Sequence, residues 1–193
     1  TTYKPASTSF AGIGAFVIGC AVGGIAALLL TPKTGPELRT NVKDKAMDYL
    51  ARFRKATGKR KLSPEEAAED ILRLTKLDDD AQREVRLSRQ ENDPPGQLRL
   101  KTYRTGGLIP LSEAVPVMEN FGFRVLEEIP TELDGDERAH IHDCLLELPA
   151  GTPVETVSAR AAIIEGAIAD VLRGKAENDG FNQLVLFAGL EPR

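Results

Sequence analysis

The segment that most constrains the fold is residues 106–128, GGLIPLSEAVPVMENFGFRVLEE. Leu111 followed by Ser112 predicts a helix start, with the Ser112 hydroxyl as the N-cap acceptor. Apolar residues continue the helix at spacings of three, namely Val115, Met118 and Phe121. Gly122 predicts the left-handed residue that ends a helix, and the residues after it alternate as a strand does. A glycine loop, a helix, a glycine and a strand make half of a split βαββα unit.

The segments on either side supply the rest of such a unit. The other predicted elements, in chain order, are a helix from the Ser63 capping box, a hairpin of residues 85–89 and 97–103 around a Pro- and Gly-containing turn, a strand of residues 139–148, a long helix from Thr156 or Ser158, and a short helix in residues 181–190. The predicted fold class is therefore α+β, with a ferredoxin-like βαββα domain in residues 62–193.

Three stretches carry a family resemblance: LRLKTYRTGGLIPLSEAVPVMENFGFRVLEE, IHDCLLEL and ENDGFNQLVLFAGL. Together, over about residues 63–193, they resemble the very large bacterial NAD-specific glutamate dehydrogenases, in a segment N-terminal to the catalytic part. The layout is similar to that of an ACT-type regulatory domain. The alternative is an unrelated ferredoxin-like α+β domain.

This resemblance implies a binding loop, because ACT-like modules hold amino acids at their first glycine loop, next to a neighbouring subunit. Here that loop is Gly106, Gly107, Leu108 and Ile109, and an amino-acid effector and a homo-oligomer are expected. The alternative is a glycine turn without a ligand.

The resemblance also implies what the chain lacks. The full-length family oxidatively deaminates glutamate to 2-oxoglutarate with NAD, but no phosphate-cradling glycine motif and no acid–base pair stands out here. We therefore expect no cofactor, no metal and no catalysis from this chain alone. Its end at Arg193, just beyond the family's junction motif, suggests a truncated product.

Residues 10–30, FAGIGAFVIGCAVGGIAALLL, form an uncharged apolar run. As a helix it would be about 31 Å long, enough to cross a hydrocarbon core. Gly19 and Gly23 have the spacing that allows two transmembrane helices to pair. One lysine precedes the run and ten basic residues lie in residues 31–61, so the bulk of the chain is predicted to be cytoplasmic, tethered to the cytoplasmic membrane. A buried soluble hairpin or helix and a cleaved signal peptide are the alternatives.

Residues 31–61 predict a basic amphipathic helix with a linker, after a polar lead in residues 1–9 and the apolar run. Such a helix can lie on anionic lipid, so membrane lipid is an expected partner of residues 10–61, while an ordinary core stripe with a solvated basic face is equally compatible. Nucleic acid is not expected, because stacking aromatics are lacking. The sequence GIGAFVIGCAVGGIAALLLTPKTGPELRTNVKDKA resembles YtxH-like membrane-associated proteins, which are linked to stress response.

Two smaller groups suggest metal chemistry. His140 and His142 lie two apart in a predicted strand, so both side chains point to one face, but the chain has no further histidine. Packing and hydrogen bonding within the strand is the favoured role. Three aspartates at residues 78–80 lack the EF-hand spacing and predict a solvated turn. The two cysteines, Cys20 and Cys144, indicate no disulfide framework.

Two functions follow. The chain is predicted to be a non-catalytic regulatory or structural fragment of a large NAD-specific glutamate dehydrogenase. The alternative is a membrane-anchored, YtxH-like stress or scaffold protein carrying an ACT-like interaction domain. The two resemblances do not usually occur in one protein, which leaves a fusion, an assembly artefact and an unusual natural gene open.

Overall fold

An antiparallel sheet with helices on both faces forms the centre of the computed structural model, which describes residues 45–49, 51–52, 64–77, 82–90, 92–135 and 138–188. The elements are α1 Pro64–Thr75, β1 Glu84–Ser88, β2 Gln97–Thr105, α2 Leu111–Asn120, β3 Arg124–Leu133, β4 Ala139–Glu147, α3 Val154–Ala159, α4 Ala161–Leu172, a 3-10 turn Gly180–Asn182 and α5 Gln183–Phe187. The predicted α+β class is confirmed.

The four strands lie in the order β1-β2-β4-β3, and each neighbouring pair is antiparallel. The predicted hairpin is present as β1 and β2, and the βαββα unit runs from β2 through α2, β3 and β4 to the helices after β4. The strand β1 precedes this unit in sequence and lies at the edge next to β2. The arrangement is consistent with an ACT-like domain.

Helix α2 starts two residues earlier than predicted. Pro110 is at the N-cap position with φ −58°, no side chain caps the helix, and Glu113 N–H and Ala114 N–H donate to Pro110 O. The Ser112 N-cap prediction was therefore wrong, because the fixed φ of Pro110 allows the helix to begin at Leu111. The predicted end is confirmed.

That end is a Schellman motif. Gly122 has φ +91°, Gly122 N–H donates to Glu119 O at 2.8 Å, and Phe123 N–H donates to Met118 O at 3.1 Å. Met118 and Phe123 are both buried, which supplies the apolar contact that accompanies this motif.

Each sheet face has its own core. Helices α2 and α4 pack on the face that carries Leu98, Leu100, Cys144 and Leu146. On the opposite face a second cluster joins Ala46 and Tyr49, from the helical residues 45–49, to α1 and to side chains of β2, β3 and β4. The described part of the basic segment thus packs against the domain that was predicted to begin at residue 62. Its contact with lipid stays a prediction.

The predicted long helix after β4 is two helices, so that prediction was wrong in its continuity. Arg160 lies between α3 and α4 with φ −112° and ψ 12°, which is not helical. Its guanidinium donates to Leu186 O at 3.0 Å and to Val185 O at 2.9 Å. The break therefore places the Arg160 guanidinium next to the end of α5. There it donates hydrogen bonds to carbonyl groups that have no partner within the helix.

Several predictions concern residues outside the described ranges: the apolar run 10–30 with Gly19 and Gly23, and the aspartates 78–80. Among the described residues, no helix combines the length and the apolar character needed to cross a bilayer. The transmembrane helix and its pairing stay predictions.

Candidate functional site

The predicted binding loop connects β2 to α2 and is held at both ends. Gly106 has φ +85°, a conformation that favours glycine, and its N–H donates to Arg138 O at 2.8 Å. Ile109 is buried in the core, whereas the Leu108 side chain is 56% exposed. The loop thus places Gly107 and Leu108 at the surface between two anchored residues.

Arg104 connects this loop to one face of the sheet. Its Nη1 donates to Leu108 O at 2.7 Å, so the loop turns back toward the face on which Arg104 lies. In the β2–β4 register Arg104 is opposite His140 and Thr102 is opposite His142. Side chains at these four positions share one sheet face, since alternate residues of a strand point the same way. We call Thr102, Arg104, His140 and His142 the polar cluster.

Three residues of the polar cluster are buried, Arg104 is half-buried, and the cluster is incompletely hydrogen-bonded. Thr102, His140 and His142 are 0%, 3% and 5% exposed. Four buried atoms have no hydrogen-bond partner among the described residues: Thr102 Oγ1, Arg104 Nε, His140 Nδ1 and His142 Nε2. Leaving a buried polar group unpaired costs about 1–3 kcal/mol. Because Arg104 also contacts the glycine loop, an additional hydrogen-bonding molecule at this place would stabilise the protein.

Charged groups surround the polar cluster. His142 Nδ1 lies 2.8 Å from Glu128 Oε1, which orients the imidazole. Burial lowers the pKa of His140, the charges of His142, Arg138 and Arg104 act in the same direction, and Glu132 opposes them. His140 is therefore neutral near pH 7. Cationic donors and carboxylates thus lie close together in this region.

The two histidines were correctly predicted to share a face of a strand. Within the described residues no group of three or more His, Cys, Asp or Glu side chains is arranged to hold a metal ion. The hydrogen bond between His142 and Glu128 agrees with the predicted role within the sheet. Sequence reasoning missed Thr102 and Arg104, although the alternation of β2 places them on one face. Only the strand register, which the sequence does not reveal, joins them to the histidines.

A second charged group lies on the other face of the sheet, beneath α1. Lys101 Nζ is 2.6 Å from Asp70 Oδ2 and 3.3 Å from Glu66 Oε1, and Tyr103 Oη donates to Asp70 Oδ1 at 2.7 Å. Burial, followed by the Asp70 charge and hydrogen bond, raises the pKa of Tyr103 well above its ordinary value. Lys101 and Asp70 are each 1% exposed. This group fixes α1 on the sheet.

The sheet order, the glycine loop and the helix that follows it form an α+β arrangement that is consistent with an ACT-like domain. Residues 82–159 match the family model described as the glutamate dehydrogenase ACT3 domain. Residues 13–79 match the family model described as YtxH-like protein. Both resemblances found in the sequence are confirmed.

Curated relatives agree with the first of these matches. The chain is 32% identical to the NAD-specific glutamate dehydrogenase of Halomonas elongata over 148 residues, which is 75% of this chain and 9% of that protein. Identity to the enzyme of the same name from Pseudomonas aeruginosa is 33% over 153 residues, covering 76% of this chain and 9% of the relative. The Mycobacterium tuberculosis enzyme is 32% identical over 151 residues, 75% of this chain and 9% of the relative. The chain thus spans about a tenth of the length of these relatives.

The comparisons also limit what is carried over. The matched glutamate dehydrogenase model is a single domain, ACT3, and NAD belongs to the full-length relatives whose names specify it. The two matched segments meet in the structure, because α1 lies in residues 13–79 and β2 lies in residues 82–159, and Asp70 binds Lys101 across that junction.

Proposed function

We propose that residues 62–193 form a non-catalytic regulatory domain, as part of a glutamate dehydrogenase, that binds an amino-acid effector beside Gly106, Gly107, Leu108 and Ile109. The observation that supports this proposal is the set of four unpartnered, buried polar atoms next to that loop. The match to an ACT3 domain supports the same class of function.

The chemistry of the polar cluster fits an amino acid. Arg104 Nε–H and the Thr102 hydroxyl can each donate a hydrogen bond to the carboxylate of an amino acid, and the positive charge of Arg104 attracts that carboxylate. Glu128 and Glu132 supply the negative charge that an ammonium group needs. Entry requires the Leu108 carbonyl to leave Arg104, and Gly106 and Gly107 make that movement of the backbone easy.

Isothermal titration calorimetry of the full chain with the twenty L-amino acids tests the proposal. Thr102→Val removes the hydroxyl at constant shape and is expected to weaken binding about tenfold. Thr131→Val is the matched control, because Thr131 pairs with Ile141 on the opposite face of the sheet, and it is expected to bind as the parent chain does. If none of the amino acids binds, the proposal is wrong.

The non-catalytic part of the proposal has its own assay. Purified chain mixed with glutamate and NAD is expected to form no NADH, because hydride transfer needs cofactor and substrate held together. Steady NADH formation that scales with chain concentration would contradict the proposal. The polar cluster would then have to be considered as part of a catalytic site.

The match of residues 13–79 to YtxH-like protein supports a second candidate function. In that case residues 10–30 anchor the chain in the cytoplasmic membrane as a helix that self-associates through Gly19 and Gly23, and the ACT-like domain is a cytoplasmic interaction module. Carbonate extraction of membranes is the test, and recovery of the chain in the soluble fraction would contradict the anchor. Deleting residues 10–30 separates the two candidate functions. An anchored scaffold is expected to lose its cellular role, whereas a regulatory domain is expected to keep its amino-acid binding.

A further inference from the structure

The outer edge of β1 is closed by side chains. Arg73 Nη1 donates to Val85 O at 3.0 Å, and Leu87 N–H donates to Glu165 Oε1 at 2.8 Å. These two backbone groups lie on the edge of the strand that faces away from β2, since alternate residues of an edge strand direct their backbone groups outward. Arg173 donates to Arg83 O at the next outward position. Three outward backbone groups of this edge, Arg83 O, Val85 O and Leu87 N–H, are thus already occupied.

The two side chains that close this edge come from opposite faces of the sheet. Arg73 belongs to α1 and Glu165 to α4, and they form an ion pair with Arg73 Nη2 3.0 Å from Glu165 Oε2. Arg73 also contacts Glu84 at 3.1 Å. Burial alone would lower the pKa of Arg73, but the carboxylates of Glu165 and Glu84 raise it, so the guanidinium keeps its charge. The ion pair therefore spans the outer edge of β1, where Arg73 donates a hydrogen bond to the strand and Glu165 accepts one from it.

The opposite edge of the sheet is protected in another way. Strand β3 contains Pro130, which has no N–H, and a register shift lies between Val125 and Glu127. Proline and bulges are common means of preventing edge strands from pairing with other chains. Strand β1 has neither of these features, and Val85 and Leu87 alternate in it with polar residues. Without the ion pair it would be a short, regular strand with open hydrogen-bonding groups.

We propose that the Arg73–Glu165 pair takes the place of a fifth strand and keeps β1 from pairing with β1 of a second copy of this chain. A second copy fits this edge once the ion pair is removed, because an antiparallel pair centred on Val85 places Glu84 opposite Arg86 in both directions. Such a twofold arrangement buries complementary charges side by side. Two properties of the pair therefore matter. Its charges are opposite, and its donor, Arg73, faces a carbonyl of β1 while its acceptor, Glu165, faces an N–H of β1.

A charge reversal separates these two properties. Arg73→Glu with Glu165→Arg keeps opposite charges together, but it aims a carboxylate at Val85 O and donors at Leu87 N–H. We expect amide exchange of Leu87 in dilute solution to become about 10- to 100-fold faster, and concentration-dependent self-association to increase above that of the parent chain. The matched control is Arg124→Glu with Glu147→Arg, an exposed ion pair at 3.1 Å between β3 and β4. It is expected to change neither measurement.

Single substitutions keep the test decisive if the double variant does not fold. Glu165→Gln retains an oxygen that accepts from Leu87 N–H and is expected to behave as the parent chain, whereas Glu165→Leu is expected to show the faster exchange and the increased self-association. All variants are measured as full chains in the same detergent, by hydrogen exchange with mass spectrometry and by sedimentation velocity. If the reversed pair or Glu165→Leu matches the parent chain in both measurements, the proposal is wrong.

Discussion

Lys101 Nζ lies 2.6 Å from Asp70 Oδ2, and each of the two residues is 1% exposed. Asp70 belongs to α1, in the segment that matches YtxH-like protein, and Lys101 belongs to β2, in the segment that matches the ACT3 domain. The remaining Asp70 oxygen accepts from Tyr103 Oη, so the buried carboxylate is bonded on both sides. A buried ion pair of this kind fixes one position of the helix on the sheet, because any shift would leave a charge unpaired.

Removing one member of this pair is expected to destabilise the domain strongly. Lys101→Met leaves the buried Asp70 carboxylate with Arg86 Nη1, at 3.7 Å, as its remaining cation, and we expect a loss of about 3 kcal/mol in the free energy of unfolding. Combining it with Asp70→Leu should recover part of that loss, because the two most deeply buried charges are then both absent. Urea denaturation of the two single variants and the double variant measures the coupling. Losses that simply add would show that the pair does not act as a unit.

Local chemistry explains which parts of the fold the sequence predicted. The end of α2 at Gly122 and the alternation of β2 depend on neighbouring residues, so both were predicted correctly. The ion pairs of Arg73 with Glu165 and of Lys101 with Asp70 join residues 92 and 31 positions apart, and they follow only from the packing of helices on the two faces. The same applies to the polar cluster, whose members lie on two strands. The break at Arg160 coincides with its hydrogen bonds to α5, which the helical pattern of residues 154–172 does not indicate.

Alanine substitutions at Gly122 and Gly166 are expected to change the free energy of unfolding in opposite directions, because the two glycines have different backbone conformations. Gly122 has φ +91°, so Gly122→Ala forces a left-handed conformation on a residue with a Cβ, at an expected cost of about 1–2 kcal/mol in the free energy of unfolding. Gly166 lies within α4 with open space around its Cβ position, and Gly166→Ala is expected to stabilise the chain by about 1 kcal/mol. Thermal unfolding of both variants checks the contrast. Equal effects of the two substitutions would contradict the backbone explanation.

Cys144 is expected to resist thiol reagents in the folded chain. It is 1% exposed, and burial followed by the charges of Glu128 and Asp143 raises its pKa to about 12. The reactive thiolate is therefore scarcer by about a thousandfold than for an ordinary cysteine at neutral pH. In a Cys20→Ser chain, the rate of labelling by a disulfide reagent should rise with denaturant in step with unfolding. Rapid labelling of the native chain would contradict the buried position of Cys144.

His140 predicts a loss of stability in mild acid. Because its folded pKa lies below the ordinary histidine value of 6.5, the unfolded chain binds the extra proton first as the pH falls. The stability that His140 contributes is therefore complete above pH 6.5 and is lost as the pH falls from there toward the lower folded pKa. Denaturant unfolding of the parent chain and of His140→Gln between about pH 7.5 and pH 5.5 measures this effect. The free energy of unfolding of the variant should decline less steeply as the pH falls, since glutamine does not titrate. Parallel declines in the two chains would exclude His140 as the cause of the acid sensitivity.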